Sequence, residues 1–375
     1  MESFEFLMRA KLCAGEDALD HLPYEMMRMN AKKPLVITDK TLMSLGLYDA
    51  LKTAAEGLDC SVVFDDVPPD SSLIKVEEAA RFYRKNACDS VIALGGGSVI
   101  DTAKGVVAMI SRCALSVGDV IGCEEPADGV SVPFVAVPTT AGTGSEATSV
   151  AVVADTEKQV KLEIIAQNML PSVAILDPRM TVGLPPRATA ATAADALCHA
   201  IEAYTCLQKN PVSDAFAVGA VKMILSALPA VLENPKNKTE RLHLAIASFM
   251  AGVAFSNSMV GAVHAVGHAL GATCHIPHGE AMAILLPAVM RFNGAEMYKD
   301  LSPLFGSDDV PAAVAALMEE LNKKTGMPIR LSQTGKCAEA DFETVAVKAL
   351  NDGAVLFNPK AVSKNDVLTL LKEVF

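Results

Sequence analysis

The chain has 375 residues, a length that suits two domains or one large one. With 32 basic against 44 acidic residues its net charge is −12, so it lacks the positive surplus that a nucleic-acid backbone or an anionic membrane surface would demand, and neither is expected as a partner. A 51% hydrophobic share against 20% charged excludes a disordered chain and is ample for a large buried core.

The nine cysteines are scattered without a C-x-x-C pair, which predicts free thiols in a reducing compartment. At MESFEFLMRAK no basic stretch precedes an apolar run, so no secretory signal is read there and a cytoplasmic location is expected.

From Leu35 to about Asp177 short β-branched runs alternate with amphipathic segments: PLVITD, SVVFDDV, SVIALGGG and PFVAVPTT, each followed by a helical stretch or a turn. That rhythm predicts a parallel α/β sheet. Ala151–Ala154 and Gln159–Ile165 read as strands of a hairpin or of a crossover, and SVAILDP as a last strand ending at Pro178. After Leu184-Pro185-Pro186 the pattern becomes Ala- and Leu-rich with helical periodicity, broken at Asn210-Pro211, Asn234-Pro235, Pro277-His278-Gly279 and Gly326-Met327-Pro328. The expected division is residues 1–183, an α/β domain, and 184–375, an all-helical domain. No Asp, Glu, Lys or Arg occurs between Arg241 and Glu280, but the run holds four histidines after His243 and several glycines, and it reads as buried helices around a polar site.

Two loops in the first half suit phosphate. Gly95, Gly96, Gly97 and Ser98 follow an apolar strand and precede a helix expected from about Val99, where backbone N–H groups and the helix terminus can approach a pyrophosphate. The strand PFVAV runs into a second such loop, Pro138 to Glu146, at the same type of strand end. At the first strand's end Asp39 either hydrogen-bonds an adenosine ribose, which favours NAD over NADP, or caps the next helix. Because the acid precedes the glycines, any dinucleotide site is a variant of the usual fingerprint.

Six of the seven histidines fall in the helical half, five of them, His199, His264, His268, His275 and His278, near small residues. Asp195 and His199 are four apart and share a helical face, as do His264 and His268, while His278 follows in a Pro-His-Gly turn. Asp195, His199, His264 and His278 together offer one oxygen and three nitrogens, a set suited to Fe(II) or Zn(II), although an i,i+4 Asp–His pair also serves as a plain hydrogen bond. His268 is left as a nearby polar or proton-relay group, His275 as an outer or surface residue, and Cys198 and Cys274 as small core residues.

These motifs, GGGSVIDTAK, PTTAGTGSEAT, DALCHAIEAY and HAVGHALGATCHIPHG, occur in an order and spacing that resembles the iron-containing (group III) alcohol dehydrogenases over essentially the whole chain. The resemblance implies a Rossmann-like NAD-binding α/β domain followed by an all-α metal-binding domain. By position it implies Asp195, His199, His264 and His278 as metal ligands for Fe(II), with Zn(II) as the alternative, and Asp39, Gly96, Gly97, Ser98, Thr139, Thr140, Thr143 and Lys161 as NAD contacts. It further implies His268 beside nicotinamide and substrate, and Ser149 and Phe255 lining the substrate pocket. The implied reaction interconverts a small primary alcohol or diol with its aldehyde. Ethanol, butanol, 1,2-propanediol with lactaldehyde, and 1,3-propanediol all fit, with hydroxyacid–oxoacid transhydrogenation as the alternative activity and a non-catalytic metal or nucleotide binder as the rival class. A homodimer or higher homo-oligomer is expected, since an exposed edge strand is often covered by a partner.

Overall fold

The structure is a computed structural model that describes residues 3–123, 131–158 and 160–375. The chain forms two compact units: Met8–Thr140 with Gly144–Gly183, and Leu184–Phe375 with Ala141–Thr143 and the residues through Leu7.

Among the described residues the first unit has nine strands: β1 (Lys11–Ala14), β2 (Pro34–Ile37), β3 (Val63–Phe64), β4 (Ser90–Gly95), β5 (Gly122–Cys123), β6 (Phe134–Pro138), β7 (Val150–Asp155), β8 (Val160–Ile165) and β9 (Val173–Leu176). Six form one parallel sheet in the order β1-β9-β6-β4-β2-β3. Its interior strands β2, β4, β6 and β9 are buried along their whole length, which explains their unbroken apolar runs. Alternate residues serve opposite faces. Leu35, Ile37, Val91, Ala93, Phe134 and Ala136 pack with the helices Leu73–Lys85 and Gly97–Ser111 through Val76, Ala79, Ile100 and Ala103. Val36, Ile92, Leu94, Val135 and Val137 pack with Leu19, Leu22, Met26 and Leu51 on the other side.

Three details differ from expectation or complete it. SVVFDDV contributes only the two residues of β3 to the sheet. The segment KLCA, not anticipated as a strand, is β1, an edge strand whose residues are mostly exposed and so carry no apolar signature. β7 and β8 form an antiparallel hairpin with Val150 opposite Ile165, which with β5 makes a separate three-stranded sheet. Gln159, the expected first residue of β8, lies outside the described residues.

The second unit is helical, as its periodicity predicts, with long helices Pro186–Thr205, Pro211–Glu233, Lys238–Ser256, Ala262–Cys274, His278–Asn293 and Val310–Thr325 followed by the shorter Phe342–Leu350 and Lys364–Glu373. The breaker at Asn210 is an N-cap whose side-chain oxygen accepts from the Val212 and Ser213 N–H groups at 3.2 and 3.0 Å. The uncharged run from 242 to 279 spans parts of three helices, interrupted around 257–261 and 275–277, and its middle helix Ala262–Cys274 has 13 residues, too short for a bilayer. Among the described residues one helix, Pro211–Glu233, is long and apolar enough to cross a membrane by length and composition; it packs on Pro186–Thr205 and Lys238–Ser256.

Candidate active site

Four side chains from three helices converge in the helical unit. Asp195 and His199 project from one face of Pro186–Thr205, His264 comes from the first turn of Ala262–Cys274, and His278 is the first residue of His278–Asn293. Each offers a ligand atom, and these atoms lie within 4.8 Å of one another. Asp195 Oδ1 is 3.3 Å from His278 Nε2, 3.7 Å from His199 Nδ1 and 3.8 Å from His264 Nε2. Asp195, His199 and His264 are buried, and Asp195 Oδ1, His199 Nδ1 and His264 Nε2 have no hydrogen-bond partner among the described residues.

Leaving three buried polar atoms of one cluster unpaired is costly, at about 1–3 kcal/mol each, unless something else satisfies them. A cation bound by one carboxylate and three imidazoles does so, and the donor set fits a borderline divalent transition metal. The protonation states agree with ligation. Burial holds the His199 imidazole down at about 3, against the pull of Asp195, so its ring is neutral. Burial likewise lowers His278. For Asp195 burial opposes ionisation, but the surrounding His199, His278 and His264 rings outweigh it and keep the carboxyl well below its usual range.

Two residues that the sequence reading passed over hold this arrangement. Glu202, buried one turn beyond His199, lies 2.5 Å through Oε2 from His264 Nδ1, while its Oε1 accepts from the Val263 N–H at 2.7 Å. One carboxylate therefore caps the helix start and aims the His264 ring, leaving Nε2 toward Asp195. Asn358 accepts from the Ala262 N–H at 3.2 Å and shares the capping. Glu202 had a signal: Asp195, His199 and Glu202 at i, i+4 and i+7 form one polar stripe on an otherwise apolar helix. Asn358, far along the chain, had none.

His268 stands beside the cluster, its ring stacked on His278 at 5.4 Å and edge-on to His264 at 5.8 Å. Its Nδ1 lies 2.8 Å from Asp352 Oδ2, a partner absent from the sequence reading. Phe255 stacks on His199 with ring centroids 4.3 Å apart. His275 is exposed, in a left-handed conformation after the helix, and Cys198 and Cys274 are buried.

In the sheet unit, Asp39, Gly96, Gly97, Ser98, Thr139 and Thr140 all lie at the carboxyl ends of three adjacent strands, β2, β4 and β6. Gly96 is the N-cap of a helix that begins at Gly97, two residues earlier than expected. A Cβ on Gly96 would sit 3.3 Å from the Thr140 side chain, so the close approach of the two loops calls for glycine there. Asp39 caps the helix Lys40–Ser44 through the Leu42 N–H at 2.9 Å. Ser98 Oγ donates to the Pro69 carbonyl, and Lys161 on β8 pairs with Asp70 at 3.3 Å, which brings Lys161 toward the same loop. Thr143 belongs with the helical unit and Ser149 with the sheet unit, just before β7.

Below these loops a further group went unread in the sequence. The fully buried Lys104 donates to Ser145 Oγ at 2.8 Å, Thr148 Oγ1 at 2.6 Å and the Val150 carbonyl at 2.7 Å, and Ser145 Oγ donates to Asp101 at 2.6 Å. Burial lowers the Lys104 ammonium to about 8 against the opposing Asp101 and Glu146 carboxylates. This network ties the glycine-turn helix to the segment leaving the second loop.

Known proteins match nearly the whole chain. The family model described as iron-containing alcohol dehydrogenase matches residues 10–178, and the one described as Fe-containing alcohol dehydrogenase family, C-terminal, matches 189–375. The chain is 35% identical to the NAD-dependent methanol dehydrogenase of Bacillus methanolicus, with 96% of each chain covered. It is also 35% identical to the 1,3-propanediol dehydrogenase of Klebsiella pneumoniae, with 99% of each covered. A solved structure of a 1,3-propanediol oxidoreductase superposes with a TM-score of 0.93 at 34% identity, covering 100% of both chains.

Proposed function

The chain belongs to the iron-containing alcohol dehydrogenase family, and from that premise we propose that it is an NAD- and metal-dependent enzyme interconverting a small primary alcohol or diol with its aldehyde. The observation that carries the reading is the convergence of Asp195, His199, His264 and His278, with three buried ligand atoms that no group among the described residues pairs. Fe(II) is the proposed metal, in line with the family, with Zn(II) as the alternative the same donors accept.

When bound, a divalent ion there supplies Lewis acidity to the substrate hydroxyl, and a nicotinamide supplies the hydride acceptor. The chain's own residues do the rest. Asp195 and the three imidazoles hold the cation, and Glu202 keeps the His264 ring turned for it. His268, oriented by Asp352, is assigned the proton leaving the alcohol or returning to it, which an imidazole can carry near neutral pH. Gly96, Gly97, Ser98, Thr139 and Thr140 are assigned the dinucleotide phosphates at the helix start, Asp39 the ribose in addition to its capping of Lys40–Ser44, and Lys161 and Thr143 further NAD contacts. Ser149 and Phe255 are assigned to the substrate pocket.

A neutral substrate is favoured over a hydroxyacid. The segment 242–279 carries no charged residue, and the flanking cations are engaged elsewhere: Arg187 by Glu280 at 2.8 Å, Arg241 by Thr189 and the Leu184 carbonyl at 2.8 and 2.9 Å. A cytoplasmic location and a homodimer complete the reading, supported by the free thiols of Cys13, Cys60, Cys88, Cys113, Cys198, Cys206, Cys274 and Cys337 and by the edge position of β1. The decisive experiment is NADH formation by chelated protein reconstituted anaerobically with Fe(II) or with Zn(II), across small alcohols and diols. Metal-dependent turnover is expected; NAD binding without turnover under either metal would overturn the dehydrogenase reading.

A further inference from the structure

A second set of metal-binding atoms meets away from the four-residue centre. Cys274 is the last residue of the helix Ala262–Cys274, and Cys337 and Asp341 come from the segment between Leu331–Thr334 and Phe342–Leu350. The two thiols and the carboxylate each offer an atom within 4.8 Å of the others. The segments are seated by Lys336, whose ammonium donates to the His275 carbonyl at 2.9 Å, and Asp341 is oriented by the Ala338 N–H at 2.8 Å. Cys274 is buried while Cys337 and Asp341 are half-buried, so an ion could enter from solvent and be held on its inner side.

We propose that Cys274, Cys337 and Asp341 form a second metal site, for a thiophilic divalent ion such as Zn(II), with a fourth position left to water. Two sulfurs and one carboxylate oxygen are donors zinc accepts tetrahedrally, and thiolates discriminate against Mg(II) and Ca(II). Binding releases two protons, one from each thiol, with no change of oxidation state. Burial, with the neighbouring Asp341 carboxylate, pushes both thiols up, so without an ion they are hydrogen-bonded thiols and poor nucleophiles for disulfide exchange. Lys348, within electrostatic reach of Cys274, favours the thiolate that an ion would create. An ion there joins the end of the helix that carries His264 and His268 to the start of Phe342–Leu350, a structural clamp distinct from the chemistry. It draws on none of the four residues assigned to the first centre and stands or falls separately from that assignment.

Titration of chelated protein with Co(II) tests it. Asp/His ligation yields only weak ligand-field absorption, whereas thiolate ligation adds an intense near-ultraviolet charge-transfer band. Two equivalents per chain are expected, with the band retained in Asp195→Asn and lost together with one equivalent in Cys337→Ser and in Cys274→Ser. Because Cys337 is half-buried, its serine variant tests the site even where the buried Cys274→Ser fails to fold. A band that survives Cys337→Ser, its absence from the wild type, or a Cys274–Cys337 disulfide found by mass spectrometry in the purified protein would overturn the site.

Discussion

Glu202 links two jobs that are usually separate, capping the helix that begins at Ala262 and fixing the ring of its third residue, His264. Glu202→Gln keeps the shape but weakens the acceptor opposite Nδ1, so metal affinity should fall by about 10- to 100-fold, read as the metal retained against a competing chelator. Unchanged affinity would reduce Glu202 to a cap. His268 presents the converse case, because its partner is Asp352 and it stands outside the four-atom cluster. Turnover in His268→Ala should drop by about 10²- to 10⁴-fold with full metal content, and unchanged turnover would remove the ring from proton transfer. Both histidines were legible as candidates because histidine is scarce in this chain and crowded into one half. Their carboxylate partners were less so: the polar stripe that includes Glu202 does not say which ring it meets, and Asp352 lies 84 residues from His268 in sequence.

Elements meet here through a few close approaches. The start of His278–Asn293 packs so tightly on Pro186–Thr205 that a Cβ at Gly279 would lie 2.4 Å from the Ala191 carbonyl oxygen, and this approach carries His278 to Asp195. In the sheet unit Asp177 closes the end of β9 by accepting from the Leu19 N–H at 3.0 Å and from Arg179. Burial opposes its charge, but the Arg179 guanidinium and the two N–H groups outweigh that and hold its carboxyl below the usual range. A depressed folded-state value means that the stabilisation is present above the unfolded carboxyl's range and is lost as pH falls through the folded one. Asp177→Asn should therefore cost about 2 kcal/mol at neutral pH, and its deficit against wild type should shrink in denaturant melts below about pH 4. A deficit that stays constant with pH would mean that packing alone accounts for it. The strands of this sheet were readable wherever both faces are buried, whereas β1, exposed and at the edge, left no apolar pattern to read.

For the whole molecule, a metal bound only by the folded state stabilises it by mass action, by about 2.7 kcal/mol at a hundredfold excess over Kd. Chelation should lower the melting temperature of the wild type by more than that of Asp195→Asn, which keeps only the Cys274, Cys337 and Asp341 site; equal shifts in both would mean that the four-residue centre contributes nothing to stability. Much of the design was determined by sequence alone. Short apolar, β-branched runs against period-3.6 patterning separated a parallel sheet from a helical half, and glycine turns after apolar strands marked the loops proposed for phosphate. The i,i+4 pair Asp195 and His199, with His264 and His278, marked the candidate metal donors, the pair because local spacing dictates which side chains share a face. Only the tertiary structure decided that β7 and β8 pair as a hairpin in their own sheet, that Asp39 caps its helix, and that Lys104 is buried between Ser145 and Thr148. The same holds for Glu202, Asn358 and Asp352 as supports of His264 and His268, and for Cys337 beside Cys274. These are pairings across long stretches of chain, and no local periodicity encodes which distant polar group will satisfy a buried one.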